Sequence, residues 1–165
     1  MKELYIVRHA KSSWEDPGLA DHDRPLLPIG VTKTQKIVGF LKRKDIRPGL
    51  MLSSTATRAL ETAKIIAAGT GYAEEDIRTT EKLYHGSPDT ILNELYGLPD
   101  DIGSVMVFGH NPGLTYFVNR YLDPSIDNLP TSGVVGIRFE ADHWEELPGA
   151  RFTVMFLMTP KMIKS

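Results

Sequence analysis

The 165-residue chain contains no cysteine. That excludes disulfides, thiolate metal ligands and a cysteine nucleophile, so covalent chemistry would have to run through another side chain. Excess charge is also missing: 19 Lys and Arg stand against 21 Asp and Glu, a formal net charge of −2. Nucleic-acid binders draw much of their affinity from a basic excess, so nucleic acid is not an expected partner. A local anion site stays compatible with this balance. Long apolar runs are lacking as well. The longest stretch without Asp, Glu, Lys or Arg, Ile102 to Asn119, is broken in its middle by His110, Asn111, Pro112 and Gly113, which makes a poor membrane span. The opening run Leu4–Val7 is too short for the apolar region of a secretory signal. A soluble, cytoplasmic chain without a membrane partner is expected. No helical His pair with an intervening Glu and no dense Asp ladder occurs, so neither a metal nor another cofactor is expected.

With 41% hydrophobic and 24% charged residues the composition is globular, and the length suits one domain, 1–165, around one core. Leu4-Tyr5-Ile6-Val7 reads as a strand covered on both faces and ends at Arg8-His9. Ile29 to Lys44 carries Val31, Thr34, Ile37, Val38 and Leu41 at helical spacing, and Arg47-Pro48-Gly49 closes it. Leu50-Met51-Leu52 is a second strand; Ser53-Ser54-Thr55 offers hydroxyl caps to a helix with Ala56, Ala59, Leu60, Ala63, Ile66 and Ala67 on one face. Ile77–Thr80 suits a short strand, and Ser87-Pro88 opens a helix with Ile91, Leu92 and Leu95. Val105–Phe108 is a buried strand stopped by Gly109-His110. Asn111-Pro112 then starts a helix whose apolar positions run from Leu114 to Leu122. Val134–Phe139 and Phe152–Thr159 read as neighbouring strands, which without an intervening helix are antiparallel. The fold class predicted is α/β: three layers, helices on both faces of a mixed, mostly parallel sheet.

Ligand crevices of such sheets lie outside the C-terminal ends of the parallel strands. Three strand ends deliver Arg8-His9, Ser53-Ser54 with Arg58 beyond, and Gly109-His110 to that edge. Arg58 falls near a helix N-terminus, where the dipole disfavours a cation unless an anion is close. The Asn111-Pro112-Gly113 helix start offers backbone N–H groups to the same anion. One imidazole can attack phosphorus while two guanidiniums clamp the non-bridging oxygens and the second imidazole donates to what remains. Phosphoryl transfer asks a protein mainly for such positioning and positive charge. Elsewhere the bland reading prevails: Lys11, Ser12 and Ser13 face water, His22 and His143 lie on the surface, and Trp14 and Trp144 serve loop packing or a partner rim.

Tyr5-Ile6-Val7-Arg8-His9-Ala10-Lys11-Ser12 resembles the first signature of the histidine phosphatase superfamily, whose fold is phosphoglycerate-mutase-like. Ser53-Ser54-Thr55-Ala56-Thr57-Arg58-Ala59-Leu60-Glu61-Thr62-Ala63 resembles its second arginine block, and Gly109-His110-Asn111-Pro112-Gly113 its second histidine block. Ala10-Lys11-Ser12-Ser13-Trp14, Asp23-Arg24-Pro25-Leu26 and Leu129-Pro130-Thr131-Ser132-Gly133 are most similar to the SixA-type phosphohistidine phosphatase branch. The resemblance implies that His9 is the phosphorylated nucleophile, that Arg8 and Arg58 clamp phosphate, and that His110 is the second phosphate-facing imidazole. Trp14-Glu15 departs from the mutases' Trp-Asn pair. Their general-acid Glu has its nearest candidate in Glu81. A missing general acid suits a phosphohistidine substrate, because an imidazole leaves far more easily than an alkoxide. A metal-independent phosphatase acting on a phosphohistidine-bearing partner protein is therefore expected. The alternatives are a phosphomonoesterase for a small metabolite, with Glu81 as its acid, and a non-catalytic phosphate-binding module.

Overall fold

The computed structural model describes residues 1–164. Six strands form one sheet: β1 (Lys2–Arg8), β2 (Leu50–Ser54), β3 (Arg78–Thr80), β4 (Ser104–Gly109), β5 (Val134–Phe139) and β6 (Phe152–Met158). Their order is β3-β2-β4-β1-β5-β6. The first four pair in parallel, whereas β5 runs antiparallel to both β1 and β6. The sheet is thus mixed and mostly parallel, as the sequence predicts.

Four helices intervene: α1 (Pro28–Arg43), α2 (Thr57–Thr70), α3 (Pro88–Leu95) and α4 (Gly113–Val118). Alternation along the strands divides the core in two. Leu4, Ile6, Val105 and Val107 face α3 and α4, while Tyr5, Val7, Met106 and Phe108 face α1 and α2. Strands buried on both faces read as unbroken apolar runs, which is why β1 and β4 are so legible.

Two local expectations are corrected. The hydroxyl cap expected for α2 does not form: its cap position is Ala56, and Ser54 Oγ instead accepts the Ala56 N–H at 3.1 Å. Ser87 does cap α3, accepting the Thr90 N–H at 3.2 Å. The fourth helix also ends sooner than its apolar spacing implies. Asn119 binds Ile126 through both side-chain ends, at 2.8 and 2.9 Å, and turns the chain back. Tyr121 and Leu122 still pack on the core, but from a turn.

The loops around the parallel strand ends are tied by main-chain contact. At Gly113 a Cβ would stand 1.9 Å from the Gly86 carbonyl oxygen, so the loop before α3 and the start of α4 touch backbone to backbone. Gly113→Ala is expected to destabilise the protein by about 1–3 kcal/mol in urea titration. Wild-type stability would contradict this close approach.

Candidate active site

The site begins with register. Arg8 pairs with Gly109 across β1 and β4, and the His9 N–H donates to the Gly109 carbonyl at 3.2 Å. Parallel strands advance together, so the next residue of each carries its imidazole out at the same level. The His9 and His110 ring centroids lie 5.1 Å apart. Both side chains are about nine-tenths buried. Ser132, at a positive φ of 60°, donates its N–H to the Arg8 and His9 carbonyls at 3.1 and 3.2 Å. The predicted Leu129–Gly133 segment thus wraps the exit of β1.

Each ring is fixed by one nitrogen. His9 Nδ1 lies 2.8 Å from the Ala10 carbonyl; a carbonyl only accepts, so the proton sits on Nδ1 and Nε2 keeps its lone pair. His110 Nε2 lies 2.9 Å from Ser54 Oγ. That hydroxyl already accepts the Ala56 N–H, and Nε2 is the acceptor within its reach. Donation from Ser54 Oγ to Nε2 would satisfy the hydroxyl hydrogen and leave the proton of a neutral His110 on Nδ1.

Arg8 Nη1 donates to the Leu129 carbonyl at 3.0 Å. Arg58, the second residue of α2, is buried against the predicted dipole penalty, and its counter-charge is a residue that sequence reasoning missed. Asp21 accepts from Arg58 Nη2 at 3.1 Å and from Arg24 Nε at 3.0 Å, and it also takes the Tyr84 hydroxyl hydrogen. Nothing periodic marks Asp21, which stands in a polar loop where carboxylates usually face water. Its crowding with Arg24 is the one available cue. Among the described residues, the buried side-chain polar atoms without a hydrogen-bond partner are Arg8 Nε, Arg58 Nε and His110 Nδ1. All three belong to the residues predicted to hold phosphate.

An open cavity of about 530 Å³ joins these groups, with Arg8, His9, Asp21, Arg24, Arg58 and His110 among its walls. Lys11 and Ser12, expected to be merely solvated, line it too. Trp14 lies at its rim, stacked 3.4 Å from the Arg24 guanidinium. His22 is not a bare surface residue either: its Nε2 meets Thr55 Oγ1 at 2.8 Å and its ring meets Tyr84. Trp144 is core, wholly buried and donating to the Ile102 carbonyl.

Glu81 is not brought to this cavity. The chain turns at Thr80, whose hydroxyl accepts the Lys82 N–H at 3.3 Å. Glu81 is left exposed while Tyr84 swings in beside His110. The α4 start is also less open to an anion than expected. The Leu114 N–H already bonds the His110 carbonyl and the Thr115 N–H bonds Asn111 Oδ1. No group of three or more His, Asp or Glu that could hold a metal occurs among the described residues. None of their helices is long and apolar enough to cross a membrane.

Electrostatics separates charge from lone pairs. Burial, assisted by Arg58 and Arg8, pushes the His9 pKa down to about 4. Burial, His9 and Arg58 push His110 down to about 3. Both imidazoles are neutral at pH 7, and positive charge resides on the guanidiniums. Asp21 is held at about 2, first by the Tyr84 hydrogen bond and then by Arg58.

Residues 4–86 match the histidine phosphatase superfamily (branch 1). The uncharacterized protein Rv1276c of Mycobacterium tuberculosis is 34% identical over 161 residues, covering 91% of this chain and 98% of its own. The chain belongs to the histidine phosphatase superfamily and is a hydrolase of SixA type within it. SixA from Agrobacterium tumefaciens superposes with a TM-score of 0.81 at 26% identity, over 96% of this chain and 98% of that one. The tungstate complex of the protein histidine phosphatase SixA shares the fold, with a TM-score of 0.82 at 20% identity, over 98% and 99% of the two chains.

Lowered histidine pKa values have a signed consequence. The unfolded chain binds more protons than the fold between about 4 and 6.5, so this pair makes stability fall as pH drops through that window. In ¹⁵N NMR, His9 and His110 are expected to stay neutral from pH 7.5 to 5.5. Exposed His143, raised by its hydrogen bond to Asp100, should titrate above its ordinary value. A midpoint near 6.5 for His9 would contradict the account.

Proposed function

We propose that this protein is a phosphohistidine phosphatase acting on a partner protein through a phosphorylated His9. The observation that carries the reading is the set of three unpartnered buried atoms, Arg8 Nε, Arg58 Nε and His110 Nδ1, beside a histidine whose Nε2 lone pair is free. An unpaired buried donor costs about 1–3 kcal/mol, and a phosphoryl group brings the three oxygens that three such donors want. Likeness to SixA over nearly the whole chain supports it.

In the first step His9 Nε2 attacks phosphorus and the P–N bond of a ring-protonated phosphohistidine breaks, its electron pair passing to an imidazole that leaves neutral because its other nitrogen already holds a proton. The Ala10 carbonyl steadies the positive charge that develops on His9 through Nδ1–H. Arg8, Arg58 and His110 meet the three equatorial oxygens, where charge spreads in the transition state. In the second step water forms the new P–O bond, the P–Nε2 bond breaks, and phosphate leaves with His9 restored. The carboxyl groups present support this substrate class. Asp21 is the single carboxyl group among the described residues lining the cavity, and it stays ionised. An imidazole can leave without a strong acid; an alkoxide cannot.

Two measurements test this. The kcat/KM for a phosphohistidine-bearing protein should exceed that for an alkyl phosphate by about 10²-fold or more, the range that general acid catalysis would supply, and His9→Ala should abolish both. A preference for the alkyl phosphate would favour a small-metabolite phosphomonoesterase, and binding without turnover an interaction module. Glu81→Gln should alter turnover of the phosphohistidine substrate only a few-fold. A loss of about a thousandfold, within the span of acid catalysis, would restore Glu81 to the chemistry.

A further inference from the structure

Asp21 has no step in this chemistry, yet its contacts are the most specific in the cavity. Its main-chain carbonyl accepts from Arg58 Nη1 at 2.7 Å, and its Oδ2 accepts from Nη2 at 3.1 Å. A guanidinium presents five N–H donors in one rigid plane. Asp21 takes one from each terminal nitrogen and leaves Nε, which is buried and unpartnered. The Arg58 guanidinium makes no other hydrogen bond among the described residues. Its plane is therefore set from one side.

The same carboxylate is itself held. Oδ1 accepts from Arg24 Nε, and Oδ2 accepts the Tyr84 hydroxyl. The Tyr84 ring meets His110 edge-on at 5.4 Å between centroids and lies 5.8 Å from the Arg58 guanidinium. One carboxylate and one phenol thus touch two of the groups that would face phosphate.

On the phosphohistidine phosphatase reading, we propose that Asp21 is the positioning residue of the phosphate clamp. It fixes the Arg58 plane so that the free edge meets the phosphoryl group, and Tyr84 locks Asp21 in that pose. A long side chain fixed in advance meets the developing charge without reorganising. The opposite role, a carboxylate occupying the place of phosphate, makes the opposite forecast: its removal would tighten anion binding.

The test is a double-mutant cycle on the intact chain. Asp21→Asn, Arg58→Ala and the double variant are compared with wild type for kcat and KM on the phosphohistidine protein and for orthovanadate affinity. Asp21→Asn should lower kcat by about 10²-fold, the scale of a misplaced catalytic group, with KM little changed and vanadate bound more weakly. In the Arg58→Ala background the same substitution should cost less than about threefold, because coupled neighbours are not additive. Tyr84→Phe keeps the Asp21–Arg58 pairing and serves as a second probe should Asp21→Asn unfold. It should show a smaller loss that likewise vanishes without Arg58. Tighter vanadate binding by Asp21→Asn, or an equal loss in both backgrounds, overturns the proposal while leaving the phosphatase reading standing. Wild-type protein that neither turns over substrate nor binds vanadate overturns that reading, and the proposal falls with it.

Discussion

The site depends on one constraint, the parallel pairing of β1 with β4 that sets Arg8 opposite Gly109. Side chains alternate along a strand, so a slip of one residue would send one imidazole to the far face of the sheet. The slip is barred from both sides. Leu4, Ile6, Val105 and Val107 fill one core, and Tyr5, Val7, Met106 and Phe108 the other. Moving either strand by one residue would exchange the side-chain sets that fill the two cores and break both layers at once. The hydrophobic core is what holds the His9 and His110 rings 5.1 Å apart.

The same burial sets the chemistry. A nucleophilic imidazole needs its lone pair, and removal from water suppresses the imidazolium form. The positive charge that a phosphoryl group requires is carried by guanidiniums, which stay protonated where a lysine could lose its proton. Burial and Arg58 lower the Arg8 pKa, a shift that binding of a dianion would reverse. Lone pairs and charges are thus assigned to different residues, and one buried pocket serves both.

Much of this was legible in the sequence. The runs Leu4–Val7 and Val105–Phe108, each ending in a histidine motif, gave the strands and the candidate residues His9 and His110. Helical spacing gave α1 to α3. Less legible was whatever depends on contacts distant along the chain. Neither Asp21 nor Tyr84 carries a periodic or motif signal, and only folding brings them to Arg58, 37 residues away from Asp21. Glu81 is the nearest match to the family's general-acid Glu, but a turn at Thr80 decides which way that residue faces. The end of α4 was obscured because Tyr121 and Leu122 pack on the core from a turn as a helix face would.

The central claim is that His9 attacks through Nε2, since Nδ1 is committed to the Ala10 carbonyl. Which ring nitrogen carries phosphorus can be read directly. The enzyme is mixed with excess phosphohistidine substrate and quenched in alkali, freed of substrate under denaturing conditions, and examined by ³¹P and ¹H–¹⁵N NMR after digestion to the His9 peptide. The account predicts phosphorus on Nε2 of His9, and no such species in His9→Ala. Phosphorus on Nδ1, or on another residue during productive turnover, would contradict it.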